Sequence, residues 1–152
     1  KEFFERKDLQ TSIRLALATI VFIAFLNKIA IGIFDKSILN LFFIFSLIWH
    51  IIVTLLLWLL TALFFEYIAK IFDRGGQLGK LLFFTAFVPI PYIFYAPLNL
   101  LKQAGSLAYI LASVTEFFLY LWIIYLYSLS LKSVYNITNA RAFMMILIPF
   151  ML

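Results

Sequence analysis

Two short lines of polar residues cross a chain that is otherwise almost entirely apolar. Ser46, His50, Thr54 and Thr61 recur at steps of four, four and seven, which puts them on one face of a helix. Ser113, Glu116 and Tyr120 recur at steps of three and four, again on one face. Lys28 stands inside a third apolar stretch. An imidazole, a carboxyl group and an ammonium group within hydrocarbon have two uses. They relay a proton or ion, or hold a polar ligand; otherwise they tie helices together, at roughly 0.6–2 kcal/mol per interhelical bond. Packing is the first reading, because a carrier would need more ionisable groups than these. Counted from the outer ends of their runs, His50 and Glu116 lie roughly 12–17 Å deep at 1.5 Å per residue. A His50–Glu116 contact is therefore available, and the long stem of Lys28 brings its ammonium into range of Glu116.

Other chemistries find few residues to work with. The chain has no Cys and one His, which removes disulfides, thiolate metal sites and any Cys/His zinc spacing. No Ser/His/Asp arrangement or useful pair of carboxylates is visible. The one Gly-rich loop, Asp73-Arg74-Gly75-Gly76-Gln77-Leu78-Gly79-Lys80, lacks P-loop spacing, and Leu81 stands where Ser or Thr would hold magnesium. Arg74, Gly75, Gly76, Gly79 and Lys80 read instead as a turn between two helices. The expectation is a protein that is not an enzyme, with no cofactor and no metal. Net charge is +5 and the pI is about 9.5. The basic residues stand mostly between apolar runs without a clustered aromatic face, so nucleic acid is not an expected partner.

The elements that must position these residues are membrane helices. Hydrophobic residues make up 66% of the chain and charged ones 12%, with mean hydropathy +1.10. Five apolar runs can be cut out, at about 15–34, 39–71, 81–101, 107–131 and 142–152. A hydrocarbon core needs about 20 apolar residues per helix, and four runs meet that length. The runs do not alternate as barrel strands do. The fold class is therefore all-α, a single polytopic membrane bundle of five transmembrane helices. Residues 1–14 form a charged lead, whose first part, with Phe3 and Phe4, reads as an interfacial helix. Lys and Arg fall unequally on the two sides, nine against two. Short loops obey the positive-inside rule, so the N-terminus is expected in the cytoplasm and the C-terminus outside. The third run contains Pro89, Pro91 and Pro97. Proline cannot donate the i to i−4 bond, so a kink or break is expected there, freeing the carbonyls of Thr85, Phe87 and Ile93. The end of the second run, around Glu66, is expected to emerge into the cytoplasmic interface.

One stretch is more specific. Gly75-Gly76-Gln77-Leu78-Gly79-Lys80-Leu81-Leu82 runs into Ala86-Phe87-Val88-Pro89. Residues 125–142 then give a long helix and a short basic turn before a final apolar run with Pro149. With the Glu2-Phe3-Phe4 lead, this layout resembles the Ypt-interacting protein (Yip) family. The resemblance implies a five-span, non-enzymatic membrane protein acting as scaffold or adaptor in trafficking or membrane organisation. Eukaryotic members are linked to Rab-type GTPases and to vesicle traffic between endoplasmic reticulum and Golgi. The short lead here is not expected to dock a GTPase. A prokaryotic member in the inner or plasma membrane is the expectation, or an endomembrane protein if eukaryotic. Its partners would be bilayer lipid, other membrane proteins or a second copy. The alternative is a small transporter or channel subunit using the intramembrane polar residues.

Overall fold

A computed structural model describes residues 2–34, 40 and 42–151, with side chains for 10–33, 40 and 42–148. Lys1, Lys36 and the side chains of Phe3, Phe4 and Pro149 lie outside the described residues. The described elements are helices: α1 (Glu2–Phe34), α2 (Phe42–Ile71), α3 (Leu78–Thr85), a 3₁₀ turn (Ile90–Phe94), α4 (Tyr95–Leu101), α5 (Ser106–Tyr135) and α6 (Asn139–Met151). Four stretches are long and apolar enough to cross a membrane: Gln10–Ile33, Phe42–Ile71, Leu78–Leu101 and Ser106–Tyr135. In hydrocarbon a helix satisfies its own backbone, so apolar runs of this length have one stable form. The helix α6 has 13 residues, about 20 Å, which is short of a hydrocarbon core.

The charged lead does not form a separate element. It is the opening of α1, continuous in its backbone from Glu2 to Phe34. The helices α1 and α2 form an antiparallel pair. Gly32 near the end of α1 meets Phe43 at the start of α2, while Ala16 and Ile20 pack on Trp58 further along. At the other end of α2, Ala62, Phe65 and Ala69 join Leu81 of α3, Leu131 and Tyr135 of α5, and Ala142 and Met145 of α6 in the largest buried cluster. The α2–α3 loop, with Arg74, and the start of α6, with Arg141, therefore meet at one end of the bundle.

The third apolar run is broken. Helix α3 stops at Thr85 and α4 starts at Tyr95. The break does not leave bare carbonyls at two of the three positions expected, Thr85 and Phe87. Thr85 O accepts from Val88 N–H (3.2 Å) and Phe87 O from Ile90 N–H (3.2 Å). The chain tightens to 3₁₀-type bonds around Pro89 and Pro91, which keeps the backbone satisfied in lipid. Pro97 lies in the first turn of α4, where a missing N–H is tolerated.

The Gly-rich loop turns by a different residue from those expected. Asp73 takes the left-handed conformation (φ 55°). Its N–H donates to Lys70 O (3.0 Å), and Arg74 N–H donates to Ala69 O (2.9 Å). This is a Schellman C-cap, with aspartate at the position that glycine usually takes. Gly76 (φ 92°) completes the reversal, and at Gly75 a Cβ would run into Lys70. Gly79 and Lys80 belong to the first turn of α3. At the other loop Asn136 (φ 54°) caps α5, donating its N–H to Lys132 O (3.0 Å).

Candidate functional site

The polar line of α2 divides in the folded chain. His50, Thr54 and Thr61 line a cleft of about 400 Å³ beside the break in the third span, with Asn27 of α1, Pro89 and Tyr92. Ser46 is exposed on the outside. Helical spacing explains the alignment of the three, and Pro89 and Tyr92 of the broken span complete the lining. Trp58 forms part of the wall, and its indole N–H donates to Thr85 Oγ1 (3.1 Å). The hydroxyls of Thr54 and Thr61 donate to the carbonyls of His50 (2.8 Å) and Leu57 (2.7 Å). Their lone pairs remain, and Asn27 Oδ1 is buried with no hydrogen-bond partner. The cleft thus offers open acceptors at Asn27, Thr54 and Thr61, and its lining includes no carboxyl group.

Glu116 is elsewhere. Its carboxylate pairs with Lys102, in the turn after α4, the two side chains being 19% and 22% exposed. The expected His50–Glu116 contact does not form. Helices α2 and α5 approach mainly towards the opposite end, where Phe65 and Tyr127 meet with ring centroids 5.7 Å apart. Lys28 likewise serves neither as partner to Glu116 nor as cleft lining; it lies within electrostatic range of His50. Tyr120 stacks edge-on against Tyr95 (5.6 Å), and Ser113 is half-buried on the same helix. The two polar lines therefore build two separate sites.

The Lys102–Glu116 pair has a pH signature. The hydrogen bond to Glu116 is the main cause that holds the Lys102 ammonium above its ordinary pKa. A raised cationic pKa contributes stability that is complete below the unfolded value and is lost as pH rises through the folded one. Glu116→Gln should thus lower thermal stability near pH 8, and the gap from the parent chain should close as pH rises above about 10.4. Thermal melts in detergent across that range test this; a gap independent of pH would remove the pair as its cause.

The buried carboxyl group that sequence reasoning missed is Glu66, which is 4% exposed. It does not emerge at the interface. One oxygen accepts from Tyr135 OH (2.5 Å) and the other from Gly76 N–H. Glu66 thereby joins α2 and α5 to the Gly-rich loop. Its sequence position disguised it, because Glu66 stands in the tail of a run longer than the bilayer, which reads as emerging into the interface. Among the described residues no three of His, Cys, Asp and Glu gather as a metal site would require.

The loop that Glu66 holds is the stretch on which the family resemblance rests, and the match extends well past it. The family model of the Yip1 domain matches residues 1–152. The chain belongs to the Yip1 domain family. Neither the curated proteins nor the solved structures hold a match to it. Membership and the apolar helices together make it an integral membrane protein. Within this Yip1 domain, the Gly75–Gly76 turn, the broken third span and the Asn136 cap are the devices that set one helix against the next.

Proposed function

We propose that this Yip1 domain is a non-enzymatic membrane scaffold or adaptor, with a trafficking or membrane-organising role, that works through helix contacts in the bilayer. One observation carries the reading: the polar groups are largely closed on each other, while the long helices are left bare. Trp58–Thr85, Glu66–Tyr135 and Lys102–Glu116 are internal pairs. Only 11% of the apolar stretch of α2 and 17% of that of α5 is buried within the chain. Such faces offer lipid or a partner helix a rigid apolar surface. Photo-crosslinkers at Leu56 and Leu60, both exposed on α2, should give discrete protein adducts in native membranes. Adducts with lipid alone would remove the adaptor reading.

The orientation belongs to the same proposal. The basic α2–α3 and α5–α6 loops share one end, and the antiparallel register places the start of α1 there too. The positive-inside rule makes that end cytoplasmic. The four long spans return the chain to that end at α6, whose 13 residues would cross to the outside as a fifth span where the bilayer thins around them. These 152 residues hold no Cys, which makes single-cysteine labelling of them clean. Gln77→Cys should react with an impermeant maleimide only from the cytoplasmic side and Gln103→Cys only from outside; same-side labelling would sink the topology.

A second reading, a small carrier or channel subunit, is favoured by the unpartnered Asn27 Oδ1 in the His50 cleft. Thr54→Cys separates the two. Under the scaffold reading it resists impermeant reagents from both sides; rapid labelling would support a water-filled path.

A further inference from the structure

The end of the bundle where the two basic loops meet carries a second cavity, of about 390 Å³, lined by Phe72, Arg74, Ile137, Arg141, Met144 and Met145. Two arginines thus stand with four apolar side chains around one largely apolar cavity. Each arginine is placed by its own loop. Arg74 follows the left-handed Asp73 that ends α2, and its N–H is tied to Ala69 O. Arg141 stands in the first turn of α6, with its N–H on Thr138 Oγ1 (3.4 Å). That is an unfavourable place for a cation, because the N-terminus of a helix already carries partial positive charge. No acidic residue occupies the first turn of α6 to offset it.

Among the described residues, no carboxyl group neutralises the arginines either. Glu66 is used by Tyr135 and Gly76. Asp73 is adjacent in the chain, but among the described residues neither guanidinium is paired with a carboxylate. Both arginines are exposed. The remaining walls are apolar, and Met144 and Phe72 are 68% and 55% exposed.

We infer that this cavity binds one anionic phospholipid, with its phosphate on Arg74 and Arg141 and an acyl chain against Phe72, Met144 and Met145. Guanidinium groups match phosphate oxygens in a bidentate fashion, and the positive end of α6 adds to the same field. The apolar walls decide the source of the phosphate. A free phosphate ion would satisfy the arginines and leave Met144 and Phe72 exposed, whereas a phospholipid covers both. Basic pockets at the cytoplasmic ends of membrane helices are suited to such headgroups. The leaflet follows from the orientation proposed above, but the site itself does not depend on it.

The experiment uses the full chain, delipidated in detergent and re-supplied with phosphatidylglycerol or phosphatidylcholine, with bound lipid counted by native mass spectrometry. One phosphatidylglycerol should be retained in preference to phosphatidylcholine. Arg74→Gln/Arg141→Gln should weaken retention by about tenfold or more, as the loss of charge-assisted hydrogen bonds implies. Lys80→Gln/Lys132→Gln removes the same charge from the same end without touching the cavity, and should retain the lipid. Equal loss in this control would show diffuse attraction and overturn the site. Displacement of the lipid by millimolar glycerol phosphate or inorganic phosphate would make it a site for soluble phosphate. No preference between the two lipids in the parent chain would end the proposal even if the arginine variant failed to fold.

Discussion

Glu66→Ala is expected to destabilise the folded chain by about 3 kcal/mol, read as a lowered unfolding midpoint in mixed micelles. Glu66 is 4% exposed and Tyr135 2%, so water does not replace the bond to the Tyr135 hydroxyl, although Gly76 is exposed. The Tyr135 hydroxyl and the Gly76 N–H both lose their acceptor. A buried donor without a partner costs about 1–3 kcal/mol, and the missing side chain leaves a void besides. Glu66→Gln keeps the volume and one acceptor, so its cost should be about half as large. Tyr135→Phe alone should cost about 1 kcal/mol. The double variant Glu66→Gln/Tyr135→Phe completes a cycle, in which a coupling of about 0.6 kcal/mol or more is expected for bonded neighbours. Strict additivity would show that the two side chains do not interact.

Gly32→Leu should cost about 2–3 kcal/mol by driving α1 away from α2. Gly32 faces the Phe43 ring so closely that even a Cβ collides with it, and Phe43 is itself buried at 8% exposure. Small residues at membrane helix contacts let backbones approach, and the packing gained is lost when they grow. The size of the ring makes this testable by compensation. Phe43→Ala opens a void and is costly alone, but in the Gly32→Leu background it should recover part of the loss. If Gly32→Leu is neutral, α1 and α2 do not pair in this register.

The faces of helices were legible in the sequence, and their partners were not. His50, Thr54 and Thr61 share a face because 3.6 residues per turn leaves no other outcome. The same geometry holds for Ser113, Glu116 and Tyr120. Nothing in that period says which helix lies opposite. Depth arguments brought His50 and Glu116 to one level, but Lys102 reaches Glu116 from the neighbouring turn. Glu66 shows the opposite failure. The length of the second run places it beyond the bilayer, at the interface, yet the end of α2 is covered by α3, α5 and α6. Asn27 was not distinguished from any other polar residue in an apolar run, since its significance lies in the cleft it shares with Pro89 and Tyr92 of another span.

The sequence by itself determined the solvent, the helical class and the long spans, because hydrocarbon tolerates only backbones that satisfy themselves and demands runs of a set length. It also determined the family, through the glycine-rich stretch and the prolines that follow. Tertiary structure alone decided which polar groups meet. Hydrogen bonds and ion pairs act over a few ångströms between residues as far apart in the chain as Glu66 and Tyr135. Only packing brings such residues within that range: here the close approach at Gly32, the broken third span and the two left-handed caps at Asp73 and Asn136.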